Sequence, residues 1–290
     1  MNARIVCLLS FILISSLAEA EDFTLTKQRS AMTERLELKQ ATDFVIDNPN
    51  GRIEVFESDA NELTVTAEHD GELPMKVSID QSRAGHITIT VADSNEGSDT
   101  RANNDANANH GGMVIRGGGV VVIDGKVVSA APGGSLFVGG GRVVRLMLQV
   151  PVNWTRHIRA TTRNGELALR GKSVGPFARG RQIALTSQNG DIICDGIAAA
   201  AGRLHLVSRN GKISASDNDG SLFIETDNGD VLAQSNRGDI EAKSVNGDVT
   251  VIAQSGGRVQ AATTNGDVLL KNPSAIAERA SAEHGAVNRP

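Results

Sequence analysis

The sequence has little of what most active and binding sites are built from. Aromatic side chains make up 3% of its 290 residues, with no tyrosine and a single tryptophan, Trp154. Few stacking platforms exist, therefore, for bases or sugars. Cysteine occurs twice, at Cys7 and Cys194. Cys7 falls in a segment expected to be removed, which leaves Cys194 without an intramolecular disulfide partner. Neither sign of charge dominates: the formal net charge is −5, so there is no electrostatic case for nucleic acid. His69, His86, His110, His157, His205 and His284 are scattered without metal-ligand spacing. No G-x-S-x-G or comparable nucleophile motif is present. A long apolar run occurs only at the N-terminus. There Arg4, the apolar stretch 5–17 and Ala18-Glu19-Ala20 read as the n-region, h-region and cleavage site of a signal peptide. The run is short for a membrane span. Residues 1–20 are therefore expected to be cleaved before Glu21. The mature chain is expected to lack a transmembrane span and to reside in the periplasm, cell envelope or extracellular space.

Glycine, by contrast, is abundant at 31 residues, and its placement is regular. It recurs every nine residues at Gly202, Gly211, Gly220, Gly229, Gly238, Gly247 and Gly256. Between glycines, apolar residues stand two apart, the spacing of a strand and not of a helix. Alternate corners carry asparagine before the glycine: Asn164-Gly165, Asn189-Gly190, Asn210-Gly211, Asn228-Gly229, Asn246-Gly247 and Asn265-Gly266. Asn-Gly is a strong signal for a tight turn with positive φ. A period of about 18 residues follows: strand, Asn-Gly corner, strand, plain glycine corner. Because the two corner types alternate, like corners fall on one edge if the strands wind as coils. The pattern predicts an all-β, flattened parallel β-solenoid with two strands per coil. A meander of consecutive hairpins could use the same turns but gives no reason for the alternation.

The inward set before each Asn-Gly is Ile158, Ala160, Thr162; Ile183, Leu185, Ser187; Leu204, Leu206, Ser208; Leu222, Ile224, Thr226; Ile240, Ala242, Ser244; and Val259, Ala261, Thr263. A diverged copy, Phe44, Ile46, Asn50-Gly51, Ile53 and Val55, lies in residues 21–92, expected to supply N-terminal strands and a cap. Residues 21–41 read as a short helix or an extended arm. Residues 93–142 break the period. The run 93–112 reads as disordered, and Val120–Val128 reads as a hairpin on Asp124-Gly125. The glycine runs 117–119 and 139–141 lack the Gly-Lys-Ser/Thr of a phosphate loop. Residues 143–271 are assigned to the solenoid, with Trp154 packing near its first coil. Residues 272–290 read as a short helix or loose tail.

The residue after each Asn-Gly forms a further row: Glu166, Asp191, Lys212, Asp230, Asp248, Asp267. Stacked at about 4.8 Å, two like charges repel by roughly 0.9 kcal/mol even in bulk water. One reading makes Asp230, Asp248 and Asp267 a divalent-cation edge. The favoured reading has each carboxylate bond its own corner's N–H groups and fan into water, with no metal and no cofactor. The calcium β-roll nonamer is rejected, since each nonamer here has one glycine and two apolar sites. Arg237-Gly238-Asp239 spells a cell-attachment tripeptide, but Gly238 is the repeat's own plain corner. Cys194 takes an inward strand position and reads as an inert buried thiol.

The run Leu146-Met147-Leu148-Gln149-Val150-Pro151, with the recurring T-x-N-G-D-[IV] of 226–231 and 263–268, resembles the bacterial putative-adhesin family with β-strand repeats. That family is a domain of unknown function related to the head GIN domain group, and the resemblance covers about residues 36–271. It implies a β-solenoid-like fold in exported or cell-envelope proteins and supplies no catalytic residues. The expected function is a non-enzymatic interaction surface for an unidentified envelope or surface partner. The alternatives are a ligand- or cation-binding module on the aspartate edge and, more weakly, a glycan-active solenoid enzyme.

Overall fold

The computed structural model describes residues 21–25, 31–38, 42–69, 75–81, 83–93, 112–116, 119–123, 126–130, 135–139, 144–151, 155–171, 181–255, 257–271 and 277–289. Residues 1–20, expected to be a signal peptide, Trp154 and the run 94–111 lie outside them. The chain divides into two units, 1–94 with 143–290, and 95–142.

In the first unit, β1 (Glu21–Leu25) and β2 (Ala31–Glu37) open the chain, where a helix or arm was expected. Alternating burial along β2, with Met32 and Leu36 inside, explains the difference: its period is two. β3 (Thr42–Asp47) and β4 (Ile53–Ser58) flank Asn50-Gly51, and β5 (Glu62–His69), β6 (Met75–Asp80) and β7 (His86–Asp93) follow. The second unit contains β8 (Gly112–Arg116), β9 (Gly119–Ile123), β10 (Lys126–Ala130) and β11 (Ser135–Gly139). There β9 pairs antiparallel with β10, Ile123 opposite Lys126, and β8 pairs antiparallel with β11.

The chain returns to the first unit through β12 (Val144–Pro151) and then runs as strand pairs. These are β13 (Thr155–Asn164) with β14 (Leu167–Arg170), β15 (Gln182–Asn189) with β16 (Ile192–Asp195), and β17 (Ala198–Asn210) with β18 (Ile213–Ser216). They continue as β19 (Asp219–Asn228) with β20 (Val231–Arg237), β21 (Ile240–Asn246) with β22 (Val249–Ser255), β23 (Arg258–Asn265) with β24 (Val268–Lys271), and β25 (Ala277–Ala282) with β26 (Val287–Asn288).

This unit is a parallel β-solenoid. One stack runs β7, β3, β13, β15, β17, β19, β21, β23, β25, every neighbouring pair parallel. The other runs β12, β4, β14, β16, β18, β20, β22, β24, β26, again parallel throughout. Register is kept at the Asn-Gly edge: Asn164, Asn189, Asn210, Asn228, Asn246 and Asn265 follow one another as direct neighbours. At the N-terminal end direction reverses, β6 and β1 in one stack and β5 and β2 in the other joining antiparallel.

Two boundaries differ from the sequence expectation. The diverged copy at 42–58 is a full coil, since β3 and β4 stack on β13 and β14 across the intervening detour. The C-terminal segment is neither helix nor tail, because β25 and β26 add a further coil on β23 and β24. Its inward residues Ala280 and Ala282 are too small to announce a strand, and pairing with the preceding coil decides the conformation. Between the stacks lies one thin apolar core, including Leu185, Leu206, Ile224, Ala242 and Ala261 from one side and Ile192, Ile213, Val231, Val249 and Val268 from the other. Burying each large aliphatic side chain contributes about 1.5–3 kcal/mol.

Candidate functional site: the corner ladders and the closed interior

The Asn-Gly edge is a set of parallel hydrogen-bond ladders. An amide side chain has both a donor and an acceptor, so it can repeat at the strand spacing without leaving either unpaired. Here Asn164 Nδ2 donates to Asn50 Oδ1 at 2.8 Å and Asn189 to Asn164 at 2.9 Å. Asn210, Asn228, Asn246 and Asn265 continue the row at 2.8 Å each. One step inward, the hydroxyls of Thr162, Ser187, Ser208, Thr226, Ser244 and Thr263 donate to the glycine carbonyls of the preceding coil, at 2.8 Å for Thr263 to Gly247. The Ser/Thr that ends each inward set thus satisfies a carbonyl that the turn would leave unpaired at the core's margin.

The glycines of this edge are required by proximity. Gly51 (φ 144°), Gly247 (φ 158°) and Gly266 (φ 154°) carry the positive φ that the turn signal suggested, whereas Gly165, Gly190, Gly211 and Gly229 do not. A Cβ on Gly165 would stand 1.8 Å from Gly51 O, and one on Gly229 would stand 2.2 Å from Gly211 O. Successive coils place backbone on backbone here, and no side chain fits between. On the other edge Gly196 (φ 67°), Asp217 (φ 53°) and Ser235 (φ 54°) occupy one stacked position in the left-handed helical region. At the plain corner Gly257, not Gly256, lies over Gly238, and a Cβ on Gly257 would stand 1.9 Å from Gly238 O.

The aspartate row is bonded differently from expectation. Each carboxylate accepts an N–H of the next coil and not of its own corner: Lys212 N to Asp191 at 2.8 Å, Asp248 N to Asp230 at 3.1 Å, Asp267 N to Asp248 at 2.8 Å and Ala286 N to Asp267 at 2.8 Å. These bonds offset the repulsion between stacked carboxylates. Among the described residues, no group of three or more His, Cys, Asp or Glu side chains is placed to hold a metal ion. The tripeptide Arg237-Gly238-Asp239 is tied into the wall. Arg237 Nε donates to Gln254 Oε1 at 3.0 Å, and Asp239 accepts from Arg258 N at 2.9 Å and Arg258 Nη2 at 2.8 Å. The Arg258 bonds hold the exposed Asp239 carboxyl below its ordinary pKa.

Three polar features inside or against the wall were not visible in the sequence. Asn218 and Asn236 are buried beneath the plain corner. Asn236 Oδ1 accepts from Asn218 N and Nδ2, Asn218 Oδ1 accepts from Ile197 N, and Asn236 Nδ2 donates to Ala215 O. Both stand two residues before a plain corner glycine, which was the available signal. The second is an ion pair of Glu57 with Arg181, both fully buried, in which Glu57 Oε2 and Arg181 Nε and Nη2 have no hydrogen-bond partner. The third is Glu54, outward on β4 yet covered, with Arg145 Nη2 at 3.0 and 3.1 Å from its two oxygens and Arg52 Nε at 2.6 Å.

Cys194 is buried and lies beside Asn218, Sγ to Oδ1 3.6 Å. Burial, followed by the negative charges of Glu57 and Asp195, pushes its thiol far above the usual range. Such a thiol holds its proton and is a poor nucleophile. The outer face of the first stack carries an aromatic pair. His205 and Phe223 rings lie 4.8 Å apart, with Lys243 Nζ 5.7 Å from the Phe223 centroid. A depression beside them is lined in part by Glu225, Lys243, Val245 and Thr264.

The fold and its corners define an all-β solenoid protein with parallel stacked coils. More particularly, the chain belongs to the Toastrack DUF4097 family, matched over residues 41–290. None of the curated proteins matches it. It is similar to solved structures at low identity. One is a putative adhesin from Bacteroides fragilis NCTC 9343, 12% identical, covering 90% of this chain and 98% of that one, with a TM-score of 0.45. Another is a putative cell adhesion protein from Clostridium sporogenes ATCC 15579, 10% identical, covering 89% and 97%, with a TM-score of 0.33. A third is a putative lipid binding protein from Parabacteroides distasonis ATCC 8503, 10% identical, covering 90% and 97%, with a TM-score of 0.30. Among the described residues, no helix is long and apolar enough to cross a membrane.

Proposed function

We propose that this is a non-enzymatic protein, exported to the cell envelope, whose solenoid presents its outer faces to an envelope or surface partner. One observation carries the reading: the residue types that repeat are committed to the core and the corners, while the outward residues change from coil to coil. Along one outward row stand Ala184, His205, Phe223, Glu241 and Gln260. A surface that varies on a rigid frame is suited to recognition, whereas catalysis would need a fixed cluster of acid, base or nucleophile. The only thiol of the expected mature chain is held protonated, and the Asp230, Asp248 and Asp267 carboxylates each already accept a backbone N–H.

Capture from envelope extract with the mature protein as bait tests this. A specific partner retained by the native protein, and lost on replacing Phe223 and Val245 by serine with the melting temperature unchanged, is the expected result. No retained partner, or retention indifferent to every outer-face substitution, would contradict it. N-terminal sequencing of the protein from envelope fractions should give Glu21, and intact Met1 in the cytoplasm would contradict export.

A further inference from the structure

The solenoid carries the same reactive dipeptide seven times, at Asn50-Gly51, Asn164-Gly165, Asn189-Gly190, Asn210-Gly211, Asn228-Gly229, Asn246-Gly247 and Asn265-Gly266. In an Asn-Gly pair the glycine nitrogen is unshielded by any side chain and can attack the asparagine Cγ. The N–Cγ bond forms, the Cγ–Nδ2 bond breaks, and ammonia leaves with the proton from the glycine amide. Water then opens the five-membered imide at one carbonyl or the other, giving aspartate or isoaspartate. No oxidant or reductant is required.

In six of the seven corners both reacting groups are held by the next coil. The glycine N–H donates to the following asparagine carbonyl: Gly51 to Asn164 at 2.9 Å, Gly165 to Asn189 at 3.1 Å, and Gly190, Gly211, Gly229 and Gly247 to Asn210, Asn228, Asn246 and Asn265 at 3.0 Å each. The asparagine Oδ1 in each of these corners accepts from the following asparagine amide. The seventh corner lacks both restraints. In the last coil the asparagine position is taken by His284, and strand pairing stops one step short, at Thr263 opposite Ala282. Gly266 N has no hydrogen-bond acceptor and Asn265 Oδ1 has no donor among the described residues, while Asn265 is exposed to water.

We propose that Asn265 is a modification site: the corner where the folded protein deamidates through an imide with Gly266, while the six clamped corners are protected. The reaction removes the Nδ2 donor that Asn265 gives to Asn246 and adds a carboxylate two residues before Asp267, so it weakens the attachment of the β23–β24 coil to the β21–β22 coil before it.

The test is peptide mapping by mass spectrometry, with isoaspartate detection, after incubating the full chain in mildly alkaline buffer below its unfolding temperature. Conversion at Asn265 should exceed that at Asn210, Asn228 and Asn246 by about tenfold or more, since the clamped corners must first open. In concentrated urea the seven sites should converge to similar rates. In His284→Asn, which extends the ladder by one rung, Asn265 should slow towards the others. A folded-state rate at Asn265 no higher than at Asn228, a ratio that persists in urea, or an Asn265 rate unchanged in a folded His284→Asn would each overturn the proposal.

Discussion

Gly229 separates two explanations for a corner glycine. It lacks positive φ, so alanine would meet no conformational penalty there and would gain about 0.4–1 kcal/mol through the unfolded chain. Its Cβ, however, would stand 2.2 Å from Gly211 O and 2.6 Å from Gly211 C. Overpacking costs about 1–3 kcal/mol and here meets backbone that cannot rotate away. Gly229→Ala should therefore lower the melting temperature in thermal unfolding, and a neutral or stabilising outcome would remove close stacking as the cause. Ser235 presents the opposite case. It holds φ 54° without being glycine, a conformation that costs about 1–2 kcal/mol for an ordinary residue. After the unfolded-state penalty, Ser235→Gly should stabilise by about 0.5–1 kcal/mol, measured by denaturant midpoint. Asp217→Gly at the equivalent position should gain less, because aspartate tolerates this region better.

At the scale of the strand and its corner, the sequence is informative wherever the repeat is local. Apolar residues two apart and Asn-Gly every second corner are enough to place β13 to β24 as coils, because each strand's period and turn lie within a few residues. What depends on distant partners was not legible. β3 and β4 lie in the first coil only because they stack on strands more than a hundred residues later, after the detour through β5 to β12. The last coil, with Ala280 and Ala282 inside, has too little apolar bulk to signal itself. The Glu57–Arg181 pair joins residues 124 apart in sequence, and neither position repeats in other coils. That pair fixes the end of β4 to the entry of β15. Removing one partner leaves the other charge buried, which commonly costs about 3–5 kcal/mol, whereas replacing both with apolar residues is often close to neutral. Arg181→Met should accordingly be strongly destabilising, and Glu57→Leu with Arg181→Met should recover most of the loss. A double-mutant cycle measured by chemical denaturation checks this, with additive effects as the contrary result.

For the solenoid unit as a whole, stability comes from repetition of one interface. Each coil buries its inward residues against its neighbours and registers through the asparagine, serine or threonine, and aspartate ladders. The corners keep the coils aligned while the outward rows are free to differ, and that division underlies the recognition role proposed above. All of it requires that residues one period apart be direct neighbours, as Val231 and Val249 are in the register of β20 and β22. Cysteines introduced at Asp230 and Asp248 test that requirement most directly. In stacked parallel coils their Cα atoms are about 4.8 Å apart, within disulfide reach, whereas a hairpin meander would separate them by two strand spacings, about 9.5 Å, beyond it. Oxidation of Asp230→Cys/Asp248→Cys should give a near-quantitative intramolecular disulfide in the folded protein, with buried Cys194 unreacted. A folded double variant that forms none would contradict the solenoid.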